Sequence, residues 1–168
     1  MSEVETVEAI ESTLYLTFRL EKELLALDVS RVREVLDLCP ITRVPRTPEF
    51  MRGVINLRGT VIPVIDLRQK FGLSRIEATI ESRIVVMEIK LEDKEAVVGI
   101  LTDSVHDVID IKSDEINAPP ETATRWRREY IQGIGKHNHN FILLLNIDRV
   151  FSDNDMADIS ENQQEIAT

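Results

Sequence analysis

Residues 49–71 read EFMRGVINLRGTVIPVIDLRQKF, and residues 129–151 read EYIQGIGKHNHNFILLLNIDRVF. The two stretches align without a gap: Glu49 lies over Glu129, Gly53 over Gly133, Ile62 over Ile142 and Phe71 over Phe151. Other apolar positions match in kind, with Phe50 over Tyr130, Val54 over Ile134 and Val64 over Leu144. The chain therefore contains a duplication. Its copies differ at the centre, where Asn56-Leu57-Arg58-Gly59 faces Lys136-His137-Asn138-His139. A scaffold that keeps its frame and changes one turn separates what folding demands from what something else demands.

The duplication extends toward the N-terminus. ALDVSRVREVLDL (26–38) lies over GILTDSVHDVIDI (99–111), placing Val32 over Val105, Glu34 over Asp107, Val35 over Val108 and Asp37 over Asp110. The two units run over about 14–71 and 84–151, the second lengthened by KSDEINAPPETATRWRRE. A period of roughly 70 residues exceeds the solenoid range of about 20–50, which implies two related subdomains and not an array. LYLTFRL and RIVVMEIKL are branched, apolar and of strand length. VINLRGTVIPVIDL reads as a hairpin turning at Arg58-Gly59, with Gly supplying positive φ. Pro63 lacks a ladder N–H, so its strand is expected at an edge or with a bulge. A short helix is expected at TPEFMR, with Thr47 as cap and Pro48 in the first turn, and others after Asp66 and Asn146. Five short strands per unit predict an all-β fold with short helices: two small barrels that share a core, each too small to be stable alone.

The formal charge of −10 is unevenly placed. Residues 1–12 hold four Glu and residues 152–168 five acids, with no Lys or Arg in either, leaving a body with twenty-one acids and twenty basic residues. The sequence thus divides into an acidic tail over 1–12, a near-neutral domain over 13–152 and an acidic tail over 153–168, the tails expected to be solvated. A neutral body without a basic stripe argues against nucleic acid as a partner. No apolar run approaches the roughly 18 residues of a membrane span, and the acidic N-terminus does not read as a secretory signal. Cys39 is the single cysteine, which excludes an internal disulfide and fits a reducing, cytoplasmic setting.

Catalytic and metal signatures are not found. His137 and His139 would share one side of a strand, but no further ligands are suggested nearby and the repeat predicts a turn there, so no metal is expected. GIGKHN lacks the phosphate-loop spacing and precedes a strand, so Gly133 and Gly135 are read as structural. No GxSxG, HExxH or strand-following GxGxxG pattern occurs, and neither enzyme activity nor a cofactor is expected. Trp126, among basic residues, covers the core with one ring face or else anchors a partner.

The second copy serves as an internal control for the first. Gly53 and Gly133 are equivalent, so the fold itself should require them. Arg58 has Asn138 as its counterpart, so the turn does not need Arg. Glu34 and Asp107 are both acids. Arg58 is accordingly expected to reach Glu34 and hold the hairpin against the preceding strand, shaping a binding surface more than adding stability.

The run GVINLRGTVIPVIDLR, with DSVHDVIDI and YIQGIGKHNHNFILLLNIDRVF, closely resembles the CheW family of bacterial chemotaxis over about 14–151. The resemblance implies two intertwined, five-stranded, SH3-like barrels. It further implies a non-enzymatic adaptor that joins the histidine kinase CheA, through its regulatory domain, to the cytoplasmic tips of chemoreceptors at the inner membrane, without inserting into it. Carried onto this chain, the receptor-facing surface comprises Val32, Glu34, Gly53, Asn56, Leu57, Arg58 and Gly59. Val32, Leu57 and their neighbours would form an apolar floor, with Arg58 and Glu34 fixing its rim. Asn146 stands where the family usually has Asp, which removes a charge near a helix start. Two other readings are a CheW-like regulatory module of a CheA- or CheV-type protein, disfavoured because no kinase or receiver sequence is attached, and a small-barrel oligonucleotide binder. The latter is disfavoured by an aromatic content of 5%.

Overall fold

The computed structural model describes residues 11–91, 94–119 and 128–151; Trp126 and most of both acidic tails lie outside them. Ten strands appear in chain order: β1 (Ser12–Leu20), β2 (Glu23–Asp28), β3 (Val32–Asp37), β4 (Met51–Leu57), β5 (Thr60–Asp66), β6 (Arg83–Lys90), β7 (Glu95–Thr102), β8 (Ser104–Lys112), β9 (Ile131–His137) and β10 (Asn140–Leu145). Two one-turn helices follow the equivalent hairpins, α1 (Leu67–Lys70) and α2 (Ile147–Val150). Both begin as expected: Asp66 Oδ1 accepts from the N–H of Gln69, and Asn146 Oδ1 from the N–H of Arg149, each at 3.3 Å.

The strands form two five-stranded sheets, β3-β6-β7-β5-β4 and β8-β1-β2-β10-β9. Each sheet takes three strands from one repeat and two from the other. The exchange follows from the connections. If β1 and β2 returned to their own repeat, β3 would run parallel to β2, and the link would have to cross a whole strand of about 20 Å. Only Val29–Arg31 separates the two strands, a reach of about 14 Å. Between β7 and β8 there is a single residue, Asp103. Each link instead passes from one barrel directly into the other, so the two units are intertwined.

Among the described residues, the end strands of each sheet do not pair with each other; equivalent isolated bridges, from the segments after β3 and β8 to β4 and β9, span the gap. Thr42 and Val54 exchange backbone hydrogen bonds of 2.9 and 2.8 Å, and Asn117 and Ile134 exchange a matching pair of 2.9 and 2.8 Å. The glycine before each bridge makes room for it. A Cβ on Gly53 would lie 2.2 Å from the Thr42 carbonyl oxygen, and one on Gly133 would lie 3.0 Å from that of Asn117. Gly53 has φ +144° as well, which side chains rarely adopt. Gly135, opposite Ile55 in the repeat, leaves space for Ile111, whose Cδ1 would be 3.1 Å from an added Cβ.

One apolar cluster runs through both sheets, from Phe18 and Leu25 through Ile65, Ile84 and Ile100 to Ile147 and Phe151. A smaller one of Tyr15, Ala26, Ile109, Ile111, Ile142 and Leu144 fills the second barrel. The rings of Phe71 and Tyr130, one from each repeat, meet with centroids 5.5 Å apart.

Two local expectations are corrected. TPEFMR is not helical: the Thr47 hydroxyl donates to the Val44 carbonyl at 3.0 Å instead of capping, and Met51 N–H closes a turn onto Pro48 before β4 starts. The strand carrying Pro63 is internal, paired with β4 and β7. Its ladder to β7 begins only at Val64, so the residue without an N–H falls just outside it, and the register shift lies opposite, between Met51 and Gly53.

Candidate functional site

The β4–β5 turn places Arg58 at φ +51° and Gly59 at φ +87°, the two-residue geometry whose twist matches a hairpin. Asn56 Oδ1 accepts from the N–H of Gly59 at 2.9 Å and locks the turn. The second hairpin repeats the geometry, with Asn138 at +49° and His139 at +67°. Asn tolerates such a conformation, because its short amide bonds locally, whereas Arg has no such compensation. His139 therefore sits in the turn and not beside His137 on a strand.

Arg58 reaches Glu34, as the comparison of copies led us to expect. Its guanidinium donates through Nη2 and, at 3.4 Å, through Nη1 to the Glu34 carboxylate. This hydrogen bond, with the carboxylate's charge, raises the Arg58 pKa above its ordinary value. The Arg58 side chain remains 72% exposed and that of Glu34 29%, so the pair forms a wall and not a buried tie.

That wall bounds a groove of about 280 Å³ at the mouth of the first barrel, lined by Arg33, Glu34, Leu57, Arg58, Thr60, Ile62, Val86 and Val97. Ile62 and Val86 are buried and make its base. Arg33 donates to Glu88 at 2.6 and 3.0 Å, adding a second ion pair beside the mouth. The site is a groove of mixed lining, with Leu57 and Val97 as its accessible apolar side chains between charged walls, suited to holding an apolar side chain of a partner and orienting it by polar contacts. A larger depression of about 620 Å³ along Asp37, Leu38, Ala78, Thr79, Ile80 and Arg83 is open to solvent.

Of the seven residues expected at a receptor-facing surface, Glu34, Leu57 and Arg58 line this groove. Asn56 and Gly59 are exposed and shape its tip. Val32 is half-buried and packs into the main core, outside the groove lining. Gly53 is buried under Thr42, so it supports the barrel closure. The residues missed are Arg33, Thr60, Ile62, Val86 and Val97. Val86 and Val97 belong to the second repeat and reach the first barrel through the strand exchange, which a reading confined to the first repeat could not show. Among the described residues, no group of three or more His, Cys, Asp or Glu is placed to hold a metal ion, and no helix is long and apolar enough to cross a membrane.

A family model described as CheW-like domain matches residues 14–155. The chain belongs to the CheW family. Among its curated relatives, the chemotaxis protein CheW of Klebsiella aerogenes is 34% identical over 143 residues, covering 85% of this chain and 84% of the relative. CheW of Bacillus subtilis is 35% identical over 125 residues, covering 74% and 78%. The crystal structure of the scaffolding protein TtCheW from Thermoanaerobacter tengcongensis matches with a TM-score of 0.75 and 36% identity, over 86% of this chain and 91% of that one.

Asn146, which stands where the first repeat has Asp66, has a local explanation. In the first barrel the equivalent Asp66 is wholly buried and pairs with Arg52 at 3.2 Å. In the second, Asn146 and Gln132 occupy those two positions. Acid and base have both become amides, so no charge is left unpaired.

Proposed function

We propose that this chain is a non-enzymatic adaptor that couples chemoreceptors to the histidine kinase CheA, with the first-barrel groove as its receptor-docking surface. The observation that carries the reading is the asymmetry between two equivalent hairpins. One holds Asn at the left-handed position, the other holds an ion-paired, solvent-facing Arg there. Residues kept in disfavoured backbone conformations point to function more than to folding. Its relatives support the context, since they are named as chemotaxis and scaffolding proteins. A receptor helix would lay an apolar side chain on Leu57 and Val97, above the buried Ile62 and Val86, with Glu34 and Arg58 orienting it; a helix seated in a groove by its apolar face is a common recognition mode. Val32 would act from beneath, and Asn56, Gly59 and Gly53 would hold the tip and the barrel closure. The kinase regulatory domain would engage a separate surface, since an adaptor needs both contacts at once. Such a role places the protein in the cytoplasm, at receptor arrays on the inner membrane.

The test is a pull-down of the chain with a receptor cytoplasmic fragment and the kinase regulatory domain, singly and together. Both should be retained and form a ternary complex. Arg58→Ala should weaken receptor retention about tenfold, as truncation at an interface hot spot does, and leave kinase retention unchanged. Unaltered receptor binding by that variant would overturn the docking assignment.

A further inference from the structure

The two repeats match in kind at most apolar positions, so packing alone discriminates poorly between partners for each exchanged hairpin. The hairpin of one chain's first repeat could enter the first-repeat barrel of a second copy, as readily as it enters the second-repeat barrel of its own chain. Exchange of identical elements is a low-cost route to dimers. Two ion-pair clusters at the junctions supply the missing discrimination.

The β1–β2 hairpin is donated to the second barrel and leaves it through Arg31. There Arg31 donates to Asp148 of α2 through Nη1 at 3.0 Å and Nη2 at 2.5 Å, while its Nε donates to the Glu88 carbonyl at 3.1 Å. The Lys90 N–H donates to the same Asp148 carboxylate at 3.2 Å. Asp28 and Glu88 face Arg31, and Lys90 faces Asp148. The β6–β7 hairpin is donated to the first barrel and leaves it through Asp103. That carboxylate accepts from Arg68 of α1 at 3.2 and 3.3 Å and from the Glu21 N–H at 2.7 Å, with the Glu21 carboxylate 3.4 Å from Arg68. In the repeat alignment Arg68 lies under Asp148, and Asp103 is one residue from the counterpart of Arg31. The same two junctions thus carry opposite polarity: cation on the strand exit and acid on the helix in one, the reverse in the other.

We propose that these two clasps of opposite sign are a pairing code that makes the chain close on itself and rejects like-with-like exchange with a second copy. Pairing two first repeats sets Arg31 of one copy against Arg68 of the other. Pairing two second repeats sets Asp103 against Asp148. Both junctions become like-charged, a repulsive element of the kind that sets specificity between similar partners. Arg31, Arg68 and Asp103 are 16–23% exposed, which limits screening by solvent, while Asp148 at 41% is more open to it. The inference concerns chain assembly and is independent of what the adaptor couples.

Two cysteine reporters test it, in the full chain with Cys39→Ser. Leu14→Cys with Asp110→Cys joins register partners on β1 and β8 and forms within one chain when it closes on itself. Leu14→Cys with Asp37→Cys, at the β3 position equivalent to Asp110, lies on two different sheets of the closed chain. It links two copies only when first repeats pair. Both reporters are refolded over a range of concentrations, oxidised and separated without reductant. The reversal Arg31→Asp with Asp148→Arg keeps both ion pairs of the closed chain yet makes like-with-like pairing attractive at both junctions. It should raise linked dimer from the Leu14/Asp37 reporter at least tenfold. Adding Arg68→Asp with Asp103→Arg restores opposite polarity and should return the dimer to its starting level. No increase with the first reversal would overturn the proposal. Should that variant fail to fold, the second reversal, made together with Glu21→Gln because Glu21 also pairs with Arg68, carries the same expectation. Failure of both would also count against it, because every pair keeps an opposite-charge partner and the code depends on sign.

Discussion

Substitution of Gly53 by Ala should distinguish the barrel-closing role of this residue from a generic glycine preference. The added methyl would stand 2.2 Å from the Thr42 carbonyl oxygen, 2.7 Å from its carbon and 2.8 Å from Ile41 Cγ2. Ordinary contact begins at 3.4 Å, so the Thr42 peptide would have to retreat by about 1.2 Å, taking with it both hydrogen bonds to Val54. Two such bonds contribute about 2 kcal/mol together, and a side chain forced to φ +144° costs a further ~1–3 kcal/mol. The expected loss is roughly 3–5 kcal/mol, a large share of the 5–15 kcal/mol typical of a folded domain. At about 2–4 °C per kcal/mol, Tm should fall by ~10 °C. Gly133→Ala meets first the side-chain Cγ2 methyl of Ile116, at 2.6 Å, and then the Asn117 oxygen at 3.0 Å. Its neighbour can rotate, so about 1–2 kcal/mol is expected. Gly59→Ala meets nothing within 4 Å and strains only its φ of +87°, for about 1 kcal/mol. Urea denaturation of the three variants gives the ranking. A Gly53→Ala loss equal to or smaller than that of Gly133→Ala would refute the reasoning.

Three further outcomes are expected. Arg58→Asn places at the first turn the residue that its twin already uses, so thermal stability should hold or rise while receptor binding falls; a loss of both would point to a structural role instead. Asp66→Asn leaves Arg52 partly buried without its acid and should cost about 3 kcal/mol by urea melt, whereas adding Arg52→Gln, the combination found at Asn146 and Gln132, should recover most of that loss. The hydrogen bond from Arg31 holds the Asp148 carboxyl below its usual range despite partial burial, so its stabilising contribution is present above about pH 4 and is lost as pH falls through the lowered folded-state value. Asp148→Asn should therefore be less stable than the parent at pH 6, with the difference shrinking toward pH 3 in a series of urea midpoints.

Local features of the fold were legible because local chemistry sets them. The two hairpins and the helices after Asp66 and Asn146 fall at the same offset in both repeats, and the Arg58–Glu34 contact follows from comparing the copies. Thr47 and Pro48 misled, because the hydroxyl found a closer acceptor in Val44 and the chain had to reach Gly53 extended. The exchange of hairpins was expected only through resemblance, since strand pairing is non-local. Its physical cause, links of three residues and one residue, becomes visible only once strand ends are known. For the same reason Val86 and Val97, which come from the other repeat, could not be read into the site, while Val32 and Gly53, expected at it, lie outside the groove lining.

On the proposed function, the first barrel's mouth, and not its twin, docks the receptor. Amide and methyl NMR spectra of the chain, titrated with a receptor cytoplasmic fragment, test it most directly. Shifts should concentrate on Glu34, Leu57, Arg58, Thr60, Ile62, Val86 and Val97, with the tip around His137 to Asn140 unmoved. Shifts centred on that second tip, with the first mouth unchanged, would contradict it.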